Sequence, residues 1–339
     1  MRRGPSRAGQ TPSPRTSGRR LPETLLIDPK DLPPALRDGH VVVGNFDGVH
    51  RGHQSVVRQA VEPARAAGRP VVALTFEPHP RTFFQPDRPL FRLTGRDEKA
   101  RQLVRAGCDA VVVLTFDKAL AAIEAEDFVS HTLVERLGAH AVVVGWDFHF
   151  GRGRAGSPAF LAEAGPRHGL YVDVAPPYGG ATPVSSSAIR DLLAEGDVAK
   201  AGRLLGRRWI VEGQVAHGDK RGRDLGYPTA NIRLAPETRL AFGIYAVRAL
   251  VGDRIVGGAA SYGRRPQFDD GAPLFEVFLF DFSGDLYGQA LRIELVAHLR
   301  PELKFGSVPE LVEQMGRDVE TARAAIAAPE DPLAPSALV

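Results

Sequence analysis

A single cysteine, Cys108, in 339 residues excludes an internal disulfide framework and points to a reducing cytoplasm as the protein's home. Its place between an Ala-Gly turn and DAVVV suits a small buried hydrophobe better than a nucleophile. Long apolar runs are missing as well. The longest, such as AVVV and VVALTF, are of strand length, so no membrane span is read. Zinc-site patterns are absent too, with no H-E-x-x-H and no clustered cysteines. Acidic residues are missing from the first twenty positions, MRRGPSRAGQTPSPRTSGRR, which hold much of the excess in a formal charge of +3. No apolar stretch follows these arginines, so residues 1–20 read as a disordered basic tail and not a secretory signal. The C-terminal AAPEDPLAPSALV, residues 328–339 above all, reads as a second unstructured tail.

What is present divides in two. With 43% hydrophobic and 24% charged residues, the chain can fill two ordinary cores. Over residues 21–206 the apolar runs HVVVGNF, PVVALTF, CDAVVVLTF and HAVVVGWDF alternate with the helix-like HQSVVRQAVEPARAAG, DEKARQLVRAG and EDFVSHTLVERLG. Continuous apolar strands between amphipathic helices imply a parallel sheet covered on both faces, a doubly wound α/β domain. Ligands of such sheets bind beyond the carboxyl ends of the strands. GNFDGVHRGH, EPHPR, DFHFGRGRAGS and VSSSAIR all fall at those ends. Their convergence on one sheet edge predicts the functional site.

His50 and His53 stand at the start of the first helix, where free N–H groups and the helix dipole favour an anion. Phosphate fits that position. Gly48 relieves the turn, Gly52 permits close backbone approach, and both imidazoles can donate to charge developing on phosphoryl oxygens. The competing reading is that the histidines only cap the helix and fill the turn. Ser185 and Ser186 open a later helix, either as phosphate-binding hydroxyls or as an ordinary N-cap.

Residues 207–327 have a different pattern. Six short runs, from IVEGQVAHG to QALRIELVAHL, are joined by turn residues without helices, which predicts a closed antiparallel barrel. The amphipathic VPELVEQMGRDVETARAAIA then packs against it. In GDKRGRDLGYPTANI, Gly218, Gly222 and Gly226 among Lys220, Arg221 and Arg223 make a flexible basic loop suited to covering phosphates, without Walker spacing. Thr229 and Asn231 lie two apart in a strand, so their oxygens share one face, as hard ligands for Mg²⁺ or as surface hydrogen-bonding groups. Alternation through FEVFLFDF places Glu276 with Phe278, Phe280 and Phe282. Desolvation there would raise its pKa and suit it as a general base, whereas an edge position would leave it wet.

Together GNFDGVHRGH, TFEPHP, VVGWDFHFGRGRAGS and VSSSAIR resemble the adenylyltransferase half of the bifunctional riboflavin kinase/FAD synthetase family, part of the H-x-G-H nucleotidyltransferase superfamily. RGRDLGYPTANI, GIYAV, EVFLFDFSGDLYG and LRPELKF are similar to its riboflavin kinase half. The resemblance implies a Rossmann-like nucleotidyltransferase domain followed by a six-stranded barrel with a C-terminal helix. It implies phosphorylation of riboflavin to FMN by ATP, then attack of the FMN phosphate on the ATP α-phosphorus, giving FAD and pyrophosphate, with Mg²⁺ present. By the same resemblance His50 and His53 contact the nucleotide phosphates, Gly44, Phe46, Asp47 and Gly52 shape the ATP loop, and Ser185, Ser186 and Arg190 bind phosphate. Glu77, His79 and Arg81 take lesser roles. In the kinase half Gly218, Gly222, Arg223, Gly226 and Pro228 belong to the ATP/flavin loop, Thr229 and Asn231 hold Mg²⁺, and Glu276 deprotonates the riboflavin 5′-hydroxyl.

The partners implied are riboflavin, FMN, FAD and ATP, with no nucleic acid and no membrane; self-association is left open. Departures from the family pattern are Asn45, His149, Ser261, Arg264, Gln267 and Phe278. Asn45 and His149, in the adenylyltransferase half, are tolerable changes, with a specific phosphate contact at His149 in question; the other four, in the kinase half, leave an expectation of kinase activity with altered flavin or nucleotide affinity. Three other readings compete. Another phosphate substrate of an H-x-G-H enzyme is opposed by the attached barrel. A flavin-binding regulator is opposed by the intact His50, His53, Thr229, Asn231 and Glu276. A nucleic-acid module rests on the basic tail alone, and binding would vanish without it.

Overall fold

The apolar runs build a six-stranded parallel sheet in a computed structural model of the protein, which describes residues 25–180, 182–217, 226–264 and 273–338. Its strands are β1 (Leu25–Ile27), β2 (His40–Val43), β3 (Val71–Glu77), β4 (Ala110–Thr115), β5 (Ala141–Gly145) and β6 (Tyr171–Ala175). The helices between them are α1 (Arg51–Ala66), α2 (Pro80–Phe84), α3 (Arg96–Arg105), α4 (Lys118–Ala121), α5 (Ala125–Asp127, running on in wide turns over Phe128–Arg136) and α6 (Pro158–Arg167). Then come α7 (Ser186–Glu195) and α8 (Val198–Leu205). All four residues of β2 are buried, as layers on both faces of a sheet require. α1 supplies one such layer through Val56, Val57, Ala60 and Ala64, spaced to share one helical face.

The strand order is β1-β4-β3-β2-β5-β6. From β2 the chain winds outward through β3 and β4, then returns to the other side of β2 for β5 and β6. The order therefore reverses between β2 and β5, and a crevice opens beyond their carboxyl ends.

The second half closes on itself. Strands β7 (Ile210–Ala216), β8 (Thr229–Arg233), β9 (Gly243–Val251), β10 (Arg254–Arg264), β11 (Pro273–Leu279) and β12 (Ala290–Arg300) form a barrel in the order β10-β11-β8-β7-β12-β9. Closure leaves no free strand edge. Helix α9 (Val308–Ala327) lies across it, with Val319, Ala322 and Ile326 packed near Phe278 and Phe280. One sequence expectation needs correction here. The alternation in FEVFLFDF stops at Leu279, because Asp281 at φ 53° turns the chain. Phe282 therefore joins Val277 and Leu279 on the wall of a barrel cavity and does not continue the face of Glu276.

The two halves share a core. One apolar cluster runs from Phe91, Leu93, Ile189 and Leu205 into Trp209, Val211, Tyr245 and Phe275. Trp209 is its hinge pin. The indole Nε1–H donates to the Leu93 carbonyl at 2.8 Å, and the ring meets Phe91 edge to face with centroids 5.8 Å apart.

Residues 328–338 are not the unstructured tail that their composition suggested. Ala337 and Leu338 are buried against Ile210 and Leu250. Glu294, wholly buried on β12, accepts from Ser336 Oγ at 2.8 Å and from the Ala337 N–H at 2.9 Å. Arginines from both halves hold the segment. Arg203 pairs with Asp331 at 2.7 Å and Arg208 with Glu330 at 2.9 Å. Arg105 and Arg292 donate to the Ala337 carbonyl at 2.9 and 3.0 Å. A few small apolar side chains thus suffice, because cations already lining the seam satisfy the strap's backbone.

The seam predicts the cost of losing its pin. Trp209→Ala should destabilise the chain by about 3–5 kcal/mol through the cavity it leaves. Trp209→Phe should cost about 1–3 kcal/mol, since the Leu93 carbonyl loses its donor. Equilibrium urea unfolding measures both; a Trp209→Phe variant as stable as the unsubstituted chain would show that the indole N–H contributes nothing.

Candidate active sites

The crevice at the strand-order reversal is a cavity of about 450 Å³. Gly44, Phe46, Asp47, His50, Gly52, His53, Ser185, Ser186 and Arg190 all line it, with Asn45, His79, Arg81 and His149. The segments read from distant parts of the sequence do meet. His50 is the N-cap of α1, and its Nδ1 accepts from the His53 N–H at 3.3 Å. The two imidazoles stack with centroids 3.7 Å apart, and Phe46 meets His53 edge to face at 5.4 Å. A Cβ on residue 52 would lie 3.1 Å from the His50 ring. Gly52 thus makes room for that ring over the first turn. At Gly48, φ is +88° and a Cβ would come within 2.9 Å of Leu93, so glycine is needed there for both reasons.

Asp47 is the anchor. It is 2% exposed and accepts from the Leu93 and Thr94 N–H groups at 2.9 and 3.2 Å. Its other oxygen takes Arg190 at 2.5 Å. Arg190 also donates through Nε to the Phe91 carbonyl at 2.6 Å, so its charge lies beneath the cavity with its geometry already fixed. Ser185 N-caps α7, accepting from the Ala188 N–H at 3.2 Å, as the capping reading supposed. Ser186 Oγ donates to the Asp47 carbonyl at 2.8 Å.

Two cations, half-buried Arg92 and buried Lys99, escaped the sequence reading. Arg92 pairs with Glu77 at 2.7 Å and approaches Asp47 at 3.6 Å. Lys99, 1% exposed, pairs with Glu77 at 2.7 Å. Burial opposes ionisation of Glu77, but the Arg92 hydrogen bonds and the Lys99 charge outweigh it and hold the carboxyl at about 2. Lys99, Glu77, Arg92, Asp47 and Arg190 thus form a chain of three cations and two carboxylates. One positive charge remains in excess below a cavity that also receives the N-termini of α1 and α7, which favours anions. The overlooked signal lay in α3, where Glu98, Lys99 and Gln102 are buried beside Ala100 and Leu103.

In the barrel, β8 pairs with β11 so that Asn231 faces Glu276 and Thr229 faces Phe278. β10 places Ser261 on the other side of Glu276. Directly opposed residues share a face, so Asn231, Glu276 and Ser261 form one row. Glu276 is only partly buried, unlike the apolar setting expected for it. A cavity of about 550 Å³ opens at the start of β8, lined by Pro228, Thr229, Val277, Leu279, Phe282 and Tyr287. Asn231 and Glu276 do not line it; they stand one step along the ladder. Gly226 lies in the turn before β8 at φ +86°. Gly218, Gly222, Arg223 and Gln267 lie outside the described residues. Tyr287, stacked on His217 at 4.0 Å, was not singled out from the sequence.

The described residues contain no group of three or more His, Cys, Asp or Glu able to hold a metal ion. Asn231 Oδ1, however, is buried without a hydrogen-bond partner. A buried orphan acceptor beside a threonine hydroxyl and a carboxylate fits a hard divalent cation that keeps most of its ligands as water and phosphate.

An FAD synthetase family model matches residues 32–188, and a riboflavin kinase family model matches residues 205–326. The bifunctional riboflavin kinase/FMN adenylyltransferase of Escherichia coli (strain K12) is 38% identical over 296 residues, covering 86% of this chain and 95% of the relative. That of Haemophilus influenzae is 40% identical over 286 residues, covering 84% and 93%. A crystal structure from Streptococcus pneumoniae, described as a macrolide-efflux protein, shares 32% identity over 88% of this chain and 99% of its own, with a TM-score of 0.78. Among the described residues no helix is long and apolar enough to cross a membrane. A crevice with surplus positive charge and two helix N-termini, a barrel with a carboxylate opposite an orphan amide oxygen, and matches spanning both halves lead to one statement: the chain belongs to the bifunctional riboflavin kinase/FMN adenylyltransferase family.

Proposed function

We propose that residues 21–206 adenylylate FMN at the crevice around His50 and His53, and that residues 207–327 phosphorylate riboflavin around Glu276, Asn231 and Thr229. The convergence of nine expected residues on one cavity at the strand-order reversal carries the first assignment; the β8–β11 register carries the second. In the cytoplasm, the compartment we assign, buried Cys108 stays a free thiol.

For adenylyl transfer the chain supplies position and charge. The FMN phosphate oxygen attacks the α-phosphorus of ATP as the bond to pyrophosphate breaks, and no covalent enzyme intermediate is required. The α1 and α7 N-termini and the excess positive charge hold the triphosphate. His50 accepts at Nδ1, so its proton sits on Nε2. Burial pulls His50 down to about 4, against the pull of Asp47 and aided by Arg207 and Arg190. Burial and the neighbouring His50 hold His53 well below the usual range. Both imidazoles are therefore neutral near pH 7, and His50 acts as a hydrogen-bond donor and not as an imidazolium.

For phosphoryl transfer Glu276 takes the proton from the riboflavin 5′-hydroxyl as its oxygen attacks the γ-phosphorus and ADP leaves. Thr229 and Asn231 would hold Mg²⁺, which supplies neutralisation of phosphate charge. The same face of β8 orders the acceptor groups beside the base.

Three outcomes follow. With riboflavin and ATP as substrates, Glu276→Gln should lower FMN formation by about 10²–10⁴-fold, as loss of a general base does, while FAD formation from supplied FMN persists. A His50→Ala, His53→Ala double variant should convert riboflavin to FMN and stop there. Time courses resolving riboflavin, FMN and FAD separate these results; a double variant that still makes FAD would remove the histidines from the reaction. The third outcome concerns stability. Because the folded-state value of His50 lies below the unfolded value of about 6.5, the unfolded chain binds more protons between the two. The contribution of His50 is intact above that pH and declines by about 1.4 kcal/mol per pH unit as pH falls toward 4. His50→Gln should flatten this part of the urea-unfolding profile, and an unchanged slope would count against a buried neutral imidazole.

A further inference from the structure

Arg51 lies inside the H-x-G-H motif, between the two histidines, yet it does not line the cavity. Its guanidinium turns the other way and donates to the Leu333 carbonyl at 3.0 Å, 282 positions along the chain. Leu333 is itself held in place. Asp331 accepts the Leu333 N–H through Oδ1 at 2.9 Å and Arg203 Nε through Oδ2 at 2.7 Å. Ala334, next in line, packs on Gly202 of α8, where an added Cβ would lie 3.1 Å from the alanine methyl. The Pro335 carbonyl takes the Arg208 N–H at 3.0 Å.

The motif's backbone is gripped from the same side. Buried Arg207 donates to the Gly48 carbonyl at 2.8 Å. Gln54 Nε2 bridges the Val49 and Leu205 carbonyls, both at 2.8 Å. Within this loop Phe46 and Val49 hold φ of +50° and +41°. Non-glycine residues adopt such values only where the surroundings over-determine them. The loop's shape therefore depends on contacts behind it, at the seam between the halves.

We propose that Arg51 is a positioning residue for adenylyl transfer: it fastens the first turn of α1 to the strap of residues 330–338, so that the barrel side of the molecule fixes where His50 and His53 stand. The strap lies beyond residue 326, where the riboflavin kinase family match ends, and nothing in it touches either cavity. This inference rests on the roles given above to His50 and His53. A strap that acts through the motif must affect one reaction and spare the other, since the kinase residues lie on β8 and β11, away from Arg51 and Leu333.

Four variants test it: Arg51→Ala, Arg51→Lys, Asp331→Ala, and Arg51→Ala with Asp331→Ala. Asp331 is on the surface of the strap, so its loss loosens Leu333 without emptying the core. For each, FAD formation from FMN and FMN formation from riboflavin are measured on the same preparation, with amide hydrogen exchange over residues 51–54. Arg51→Ala and Asp331→Ala should each lower kcat for adenylyl transfer by roughly tenfold, with KM for ATP little changed, kinase kinetics retained and exchange at residues 51–54 faster. The double variant should be no worse than Arg51→Ala alone, as expected of two residues acting through one contact, and Arg51→Lys should recover most of the rate.

Three results would overturn the proposal. Loss in Arg51→Ala with none in Asp331→Ala would make Arg51 a substrate contact. Effects that multiply in the double variant would make the two sites independent. Equal loss of both reactions would reduce the strap to general stability. Failure of the underlying assignment looks different, as retained FAD synthesis in the His50→Ala, His53→Ala variant.

Discussion

The crevice at the strand-order reversal depends on one carboxylate removed from water. Asp47 sits at the bend between β2 and α1 and accepts from two backbone N–H groups of the segment before α3 and from the Arg190 guanidinium of α7, with the Arg92 charge 3.6 Å away. Three parts of the chain that share no local sequence are thereby brought to one point. A buried carboxylate is tolerable only when so fully satisfied. Its satisfaction is also what fixes Arg190 and α7 against the loop. Through Arg92 and Glu77 the same chain of charges continues to Lys99, so the positive field of the crevice is set by packing and is already in place before a nucleotide arrives.

The barrel solves a similar problem by other means. It needs no buried chain of charges, because strand register alone puts Asn231, Glu276 and Ser261 in a row. Two-residue periodicity guarantees a common face, and barrel closure prevents the strands from sliding. The two sites are joined through the apolar cluster around Trp209 and the strap over the seam, so neither half carries its own complete outer surface.

The α/β order, the six barrel strands and the residues of the crevice were legible because their signals are local: apolar runs at strand length, glycines beside histidines, serines at a helix start. Arg92 and Lys99 were not: Arg92 lies in an irregular segment far in sequence from Glu77, and Lys99 is a cation within an amphipathic helix, which normally marks the wet face until the tertiary placement of Glu77 reverses that. The strap was hidden for the opposite reason. Its proline and alanine content resembles a solvated tail, and the arginines that hold it come from α1, α3, α8, the link between α8 and β7, and β12. The extent of the Glu276 face was misjudged at a single residue, Asp281, whose positive φ breaks an alternation that the phenylalanines alone would continue.

The contact between Arg51 and Leu333 also bears on how such a chain is made. Synthesis delivers the sheet and its helices first, and N-terminal domains generally fold as they emerge. Yet the carbonyl that fastens α1 is produced 282 residues after the arginine that needs it, and the Ala337 carbonyl 232 residues after Arg105. On the ribosome, the first turn of α1 and the end of α3 must wait for these two contacts until the strap, made after the barrel, has emerged.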